Sequence, residues 1–311
     1  MLTTIDVTLR DGGYRNNFSF PEEYARTHAE LSARAGLEWV EIAYRNGSFK
    51  PIPGIGPSGR GEDDYIRAFA DLIGPDRVGM ILHPKNVDPT DLDRMYRAGA
   101  RLVRICLNAA EFGAGVDTVR RAKDLGFTVA VNFTRVTQQD RRQLVHAAAE
   151  VADLGTDVIY LADSNGSLTP DETRRLITSV GHVVPSAIGL HAHNNLGLAL
   201  ANSIAAVEAG ATWIDASVLG MGKGPGNLAT EQWLAYLTRR DAGTGYDLGT
   251  SLALAERLAA SVAESTPELP LPDLLLGWFD LAVEHRAELD GHQIADQFAA
   301  AAVLAHAVPV A

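Results

Sequence analysis

Short apolar runs rich in β-branched residues recur along the chain, separated by longer stretches with helical spacing. Residues 158–162 (VIYLA) and 129–133 (VAVNF) are almost continuously apolar, as strands covered on both faces should be. The pattern predicts strands at Thr3–Thr8, Leu37–Ala43, Arg77–His83, Arg101–Leu107, Phe127–Phe133, Asp157–Ala162, Ala187–His193 and Ala211–Val218. The intervening stretches read as helices. Pro21, Glu22 and Glu23 open one and Gly36 closes it; Thr169, Pro170, Asp171 and Glu172 open another. Strand starts lie 24 to 40 residues apart, about one βα unit each. Eight units in roughly 240 residues predict an α/β fold, a (β/α)8 TIM barrel whose active site lies at the C-terminal ends of the strands. A doubly wound open sheet has the same element count and is the rival.

After residue 240 the pattern turns helical, with helices expected over Ser251–Glu264, Asp273–Glu288 and Gly291–Ala307, punctuated by Pro267, Pro270 and Pro272. Residues 1–240 are therefore expected to form a catalytic barrel and residues 241–311 a helical C-terminal extension. The stretch from Arg45 to Gly61, with five glycines and three prolines, follows the second strand. It reads equally as a substrate-covering loop or a tolerated insertion.

Charge sharpens the division. The net charge is −12; residues 1–240 carry 25 basic and 28 acidic side chains, whereas residues 241–311 carry 2 and 11. An acidic tail with no compensating basic stripe disfavours nucleic acid. The single cysteine, Cys106, forbids an intrachain disulfide and a cysteine-cluster metal site. With no signal-like start and no apolar run long enough to span a bilayer, a cytoplasmic protein without membrane contact is expected.

The strongest chemical feature is His191-Ala192-His193 at a strand end. Residues i and i+2 of a strand share a face, so both imidazoles enter the barrel mouth together. Arg10 and Asp11 leave the first strand ahead of two glycines. In a closed barrel the first and seventh strands are two places apart, so Asp11 can complete a ligand set with His191 and His193. Two imidazoles and a carboxylate without thiolate suit a divalent cation: Mn2+ or Mg2+ first, with Co2+, Zn2+ or Fe2+ admissible. Residues 220–227 (GMGKGPGN) are glycine at every second position, which lets backbone N–H groups approach an anion, and Asn227 marks an expected helix start.

The segments TLRDG (8–12), HAHNN (191–195) and the glycine-rich loop resemble the metal-dependent lyase and Claisen-synthase superfamily of TIM barrels. That superfamily includes hydroxymethylglutaryl-CoA (HMG-CoA) lyase, isopropylmalate synthase and 4-hydroxy-2-oxovalerate aldolase. Residues 161–166 (LADSNG), 201–208 (ANSIAAVE) and 215–222 (DASVLGMG) extend the resemblance, in order, toward the 4-hydroxy-2-oxovalerate aldolases. The resemblance spans about residues 3–235. It implies a metal-dependent aldolase that forms or cleaves a C–C bond through the enolate of pyruvate or a related 2-keto acid. Asp11, His191 and His193 would bind the metal, Arg10 would stabilise the enolate, and Ser164 would lie near the keto acid. Asn227, Tyr44 and Arg45 are the other expected substrate contacts. The aldolases carry a histidine three positions after the metal-binding aspartate, taken as the general base; here Tyr14 stands there and is the candidate for proton transfer. A phenol serves as a base near neutral pH only where positive charge lowers its pKa, a task open to Arg10, Arg15 and the metal.

Expected partners are a small 2-keto acid and an aldehyde, and the expected assembly is a homo-oligomer, a dimer. The alternatives are an acyl-CoA-dependent Claisen synthase on the same barrel and a non-catalytic binding barrel. A Schiff-base aldolase would need a desolvated lysine on a strand, and Lys85 and Lys223 lie beyond strand ends.

Overall fold

The computed structural model describes residues 2–241, 243–290 and 293–307. Eight parallel strands are present: β1 (Thr3–Asp6), β2 (Trp39–Tyr44), β3 (Val78–Leu82), β4 (Leu102–Leu107), β5 (Thr128–Phe133), β6 (Val158–Asp163), β7 (Ala187–Ala192) and β8 (Trp213–Ala216). Each pairs with the next, and β8 pairs with β1 in register from Thr3 opposite Trp213 to Asp6 opposite Ala216. That closure decides for the barrel over the open sheet.

Helices α1 (Glu22–Arg34), α2 (Pro57–Arg60), α3 (Asp63–Ile73), α4 (Pro89–Ala98), α5 (Val116–Leu125), α6 (Arg141–Ala152), α7 (Pro170–Gly181), α8 (Ala199–Glu208) and α9 (Thr230–Arg240) alternate with the strands. Their starts follow local chemistry. Thr169 and Glu172 form a reciprocal capping box at α7 with Pro170 in its first turn, and Asp88 and Asp91 do the same at α4.

Alternation along the strands sorts two environments. Val103, Ile105, Val129, Val131, Ile159 and Leu161 face the helices in the large core. Leu102, Ala130, Val158 and Tyr160, at the opposite parity, form a second cluster inside the barrel with Ile5 and Val7. The inward parity continues toward the C-terminal ends as polar residues: Arg104, Asn132, His191 and, on β8, Asp215. The site is thus an extension of the barrel interior.

A helical C-terminal extension is present. Its first helix, α10 (Leu248–Ser261), packs on α1 and α9 and gives Leu254, Ala255 and Leu258 to the large core. Then α11 (Leu271–Trp278), α12 (Arg286–Leu289) and α13 (Ile294–Ala307) form a small cluster of their own around Leu276, Leu281, Leu289 and Ala301. The single helix expected over Asp273–Glu288 is broken after Trp278. Asp280 turns left-handed (φ 52°) because three side chains of the barrel loops hold its carboxylate, and those contacts override local helical preference. The helix expected over Ser251–Glu264 starts earlier because Asp247 caps it at Thr250 N, and it ends where Val262 becomes extended. That expected from Gly291 is observed from Ile294, Gly291 lying outside the described residues. Among the described residues no helix is long and apolar enough to cross a membrane.

Candidate active site

Asp11 stands five residues beyond β1 at the head of a 3-10 turn, Gly12–Arg15, while His191 is the penultimate residue of β7 and His193 lies just past its end on the same face. The three are buried, and one ligand atom from each lies within 4.8 Å of the others. His191 Nε2 and His193 Nε2 are 3.2 Å apart. Burial lowers the pKa of His193 to about 4, so its ring is neutral with a free lone pair near pH 7. Burial also pushes Asp11 upward, but the Arg10 guanidinium, helped by the hydrogen bond from Asn227, outweighs it and holds the carboxyl well below the usual range. Two imidazole nitrogens and one carboxylate oxygen converging in a buried pocket match the donor set of a divalent cation.

The glycine-rich loop does serve an anion, and that anion is Asp11. Asn227 Nδ2 donates to Asp11 Oδ2 at 2.8 Å and the Lys223 backbone N–H at 3.3 Å. Gly226 (φ 105°) has to be glycine, since a Cβ there would lie 1.9 Å from Gly220 O. No helix starts at Asn227; α9 begins at Thr230, because residues 220–227 fold back so that His193 bridges to Asn227.

Arg10 donates from Nε to Glu41 and from Nη1 to Asp11, which leaves Nη2 buried without a partner among the described residues. Burial opposes its charge, yet Glu41 and Asp11 raise its pKa well above the ordinary value, so it is a fixed cation. The chain of charges continues inward. Glu41 accepts from Arg104 Nη1 (3.1 Å), and Arg104 Nη2 donates to Asp215 Oδ2 (2.6 Å). Asp215 Oδ2 in turn accepts from His191 Nδ1 (2.8 Å). Arg104 also stacks 4.1 Å from the Tyr160 ring centroid, and Tyr160 fits because Gly189 beside it has no Cβ.

A cavity of about 320 Å³ opens over this floor. Arg10, Asp11, His191, His193, Tyr14, Tyr44 and Ser164 all line it. The Tyr14 hydroxyl hydrogen-bonds Ser48 and lies 3.1 Å from Tyr44 Oη. Burial raises its pKa, the opposite of what a base requires, and Arg15 is turned away toward Thr266 O (3.1 Å). His83 stacks on Tyr44 (5.8 Å), its pKa lowered to about 4 by burial and then by Lys85 and Arg10. Ser164 Oγ accepts from Arg135 N at 2.9 Å. Cys106, also on the lining, is buried with its thiol pushed up to about 12.

Two expected substrate contacts lie elsewhere. Arg45 points away from the cavity and is bonded to Asp91, Asp63 and Gly61 O. Asn227 is buried against Asp11, behind the cavity surface. From the loop 45–61, Ser48 and Phe49 reach the site, while Gly56 packs under Phe18. Sequence reading missed Glu41, Arg104 and Asp215. Their signal is a charged residue inside an apolar strand run at the parity of the barrel interior. It also missed Glu284, a cavity-lining residue of the extension that carries no local signal.

A family model described as HMGL-like matches residues 1–258. The 4-hydroxy-2-oxovalerate aldolase of Carboxydothermus hydrogenoformans is 34% identical over 258 residues, covering 82% of this chain and 76% of that protein. The same-named protein of Brevibacillus brevis is 32% identical, covering 88% and 80%. Among solved structures, the N-terminal domain of a Bacteroides vulgatus protein superposes at TM-score 0.84 with 24% identity, covering 94% of this chain and 98% of that one. Hydroxymethylglutaryl-CoA lyase from Pseudomonas aeruginosa superposes at TM-score 0.70, again with 24% identity, covering 86% and 95%; both are likenesses of fold. The match over most of the chain and the sequence identity together place this protein in the HMGL-like family.

Proposed function

We propose that this protein is a carbon–carbon lyase, a divalent-metal-dependent aldolase that makes or breaks a bond through the enolate of pyruvate or a related 2-keto acid. The observation that carries the reading is the buried, unpartnered Nη2 of Arg10 beside the convergent Asp11, His191 and His193. Relatives named 4-hydroxy-2-oxovalerate aldolase, at 30–34% identity, support the same chemistry.

Asp11, His191 and His193 would hold the cation, Mn2+ or Mg2+, and two imidazoles with one carboxylate also admit Co2+, Zn2+ or Fe2+. When bound, it supplies Lewis acidity toward the keto acid. The protein's own groups do the rest. Arg10, clamped by Glu41 and Asp11, places positive charge where the keto oxygen becomes anionic. Ser164 offers a hydroxyl to the keto acid. Tyr14, a neutral phenol, donates its proton to the aldehyde oxygen as the bond forms, and the phenolate left behind is restored by the proton that the pyruvate methyl group released to solvent on enolisation; Ser48 and Tyr44 orient it. Phe49, Ile81 and Leu107 give the aldehyde chain an apolar wall.

The test is deuterium exchange into the pyruvate methyl group, which reports enolate formation without a second substrate. Exchange should stop with chelator, return with Mn2+ or Mg2+, and vanish in Asp11→Ala and His191→Ala. Full exchange after chelation overturns the reading. The same proposal treats residues 1–240 as the catalytic barrel and 241–311 as the extension that completes its mouth. A homodimer and a cytoplasmic setting belong to it too, the latter supported by the single buried cysteine.

A further inference from the structure

The extension returns to the barrel mouth. Asp280 Oδ1 accepts from Thr137 Oγ1 (2.8 Å), Asn165 Nδ2 (2.8 Å) and Ser167 Oγ (2.7 Å), and its carbonyl accepts from Gln138 Nε2 (2.6 Å). These donors come from the loops after β5 and β6. Gly277 lies so close to the loop after β7 that a Cβ there would sit 2.7 Å from Asn195 Cβ. Four residues beyond Asp280, Glu284 reaches the cavity lining. Its Oε1 accepts from Lys223 Nζ (2.9 Å), and its Oε2 lies 3.4 Å from Arg135 Nη2. Both cations line the same cavity, one after β8 and the other after β5. Burial favours the neutral acid, but Lys223 and Arg135 reverse that and bring the pKa to about 2, so Glu284 is an anion at working pH.

We propose that Glu284 is a specificity-determining residue: it fills the anion position between Lys223 and Arg135 and so confines the second substrate to uncharged aldehydes. The inference rests on the aldol reading above. Two unmatched cations at the mouth would attract an aldehyde bearing a carboxylate. With Glu284 in place they are already paired, and a second carboxylate meets a like charge, reinforced by Glu111 on the lining.

Butyraldehyde and succinic semialdehyde share a four-carbon chain and differ by one terminal carboxylate. Comparing kcat/KM for the two at fixed pyruvate cancels any effect of Glu284 on the keto acid. In Glu284→Gln the ratio should move about tenfold toward succinic semialdehyde at low salt, and less at high salt. A ratio unmoved by the substitution overturns the proposal. Calorimetric titration with succinate needs no turnover, and its Kd should tighten about tenfold in Glu284→Gln. An unchanged Kd also overturns it. If the unmodified protein exchanges no pyruvate protons, the aldol reading falls, while the succinate titration still decides whether Glu284 guards an anion position.

Discussion

His191 Nδ1 lies 2.8 Å from Asp215 Oδ2, and this hydrogen bond decides which ring nitrogen of His191 faces Asp11. The carboxylate accepts the Nδ1 proton, so the Nε2 lone pair is the one presented to the cation position. Asp215 is held in turn by Arg104, Arg104 by Glu41, and Glu41 by Arg10. The ligand and the enolate-stabilising cation are therefore two ends of one buried chain of charges.

Asp215→Asn removes the acceptor that fixes the tautomer while keeping the shape. The expected result is a loss of metal affinity of about 10- to 100-fold, measured by competition with a chelator. Excess Mn2+ should restore turnover. Because Arg104 loses its closest anion, a stability loss on the order of 3 kcal/mol accompanies it in urea unfolding. Unchanged affinity would remove Asp215 from this role.

Arg10→Lys tests the geometry of the guanidinium. A lysine keeps the charge, but its three N–H donors radiate from one nitrogen and cannot span the separate positions that Nε, Nη1 and Nη2 of Arg10 occupy. Turnover should fall by about 10²- to 10³-fold, the usual loss for one oxyanion donor, with pyruvate KM changed far less.

Tyr14→Phe deletes the hydroxyl beside Ser48 and Tyr44. Turnover should fall by about 10²-fold and Ser48→Ala by less, since Ser48 only orients the phenol. Tyr14→His should retain turnover and bring an acidic limb near pH 6.5 into the pH profile. Full activity in Tyr14→Phe assigns the proton transfer elsewhere on the cavity wall.

The barrel was legible because each strand repeats one physical signal, apolar residues on both faces, and the order of eight βα units leaves few topologies. His191 and His193 were legible because a two-residue spacing at a strand end has one geometric meaning. Glu284 was not, because its place depends on Asp280 being seized by Thr137, Asn165 and Ser167 from distant loops. Arg45 misled for the same kind of reason. A strand-end arginine looks like a substrate contact until Asp63 and Asp91, far along the chain, claim it.

Asp163, at the end of β6, carries a pH signature. Burial raises its pKa from 3.8 to about 7, even though the backbone N–H groups of Leu168 and Ser167 favour the anion. Between those values the folded protein holds a proton that the unfolded chain has released. This contribution to stability is present below pH 3.8 and fades as pH rises through 7, by about 1.4 kcal/mol per pH unit within the window. His83, lowered to about 4, acts in the opposite direction, so the difference between proteins is the informative quantity. Urea midpoints from pH 5 to 8 should fall more with rising pH in the unmodified protein than in Asp163→Asn. Parallel pH dependences would contradict the assignment.

Asp280→Ala should release the extension from the mouth without unfolding the barrel. The substitution removes an acceptor shared by three side-chain donors and puts alanine at a left-handed position that an aspartate tolerates better. A charged acceptor of this kind contributes about 2 kcal/mol locally. Amide hydrogen exchange over residues 271–289 should then quicken by roughly 30-fold, while β4 to β6 keep their protection. The cluster of Leu276, Leu281 and Leu289 is separate from the large core, so the global unfolding transition should move little. Released from its anchor, Glu284 would no longer be held between Lys223 and Arg135, and the aldehyde preference should shift in the same direction as in Glu284→Gln. Uniform loss of protection through the barrel would instead make Asp280 part of the fold's foundation.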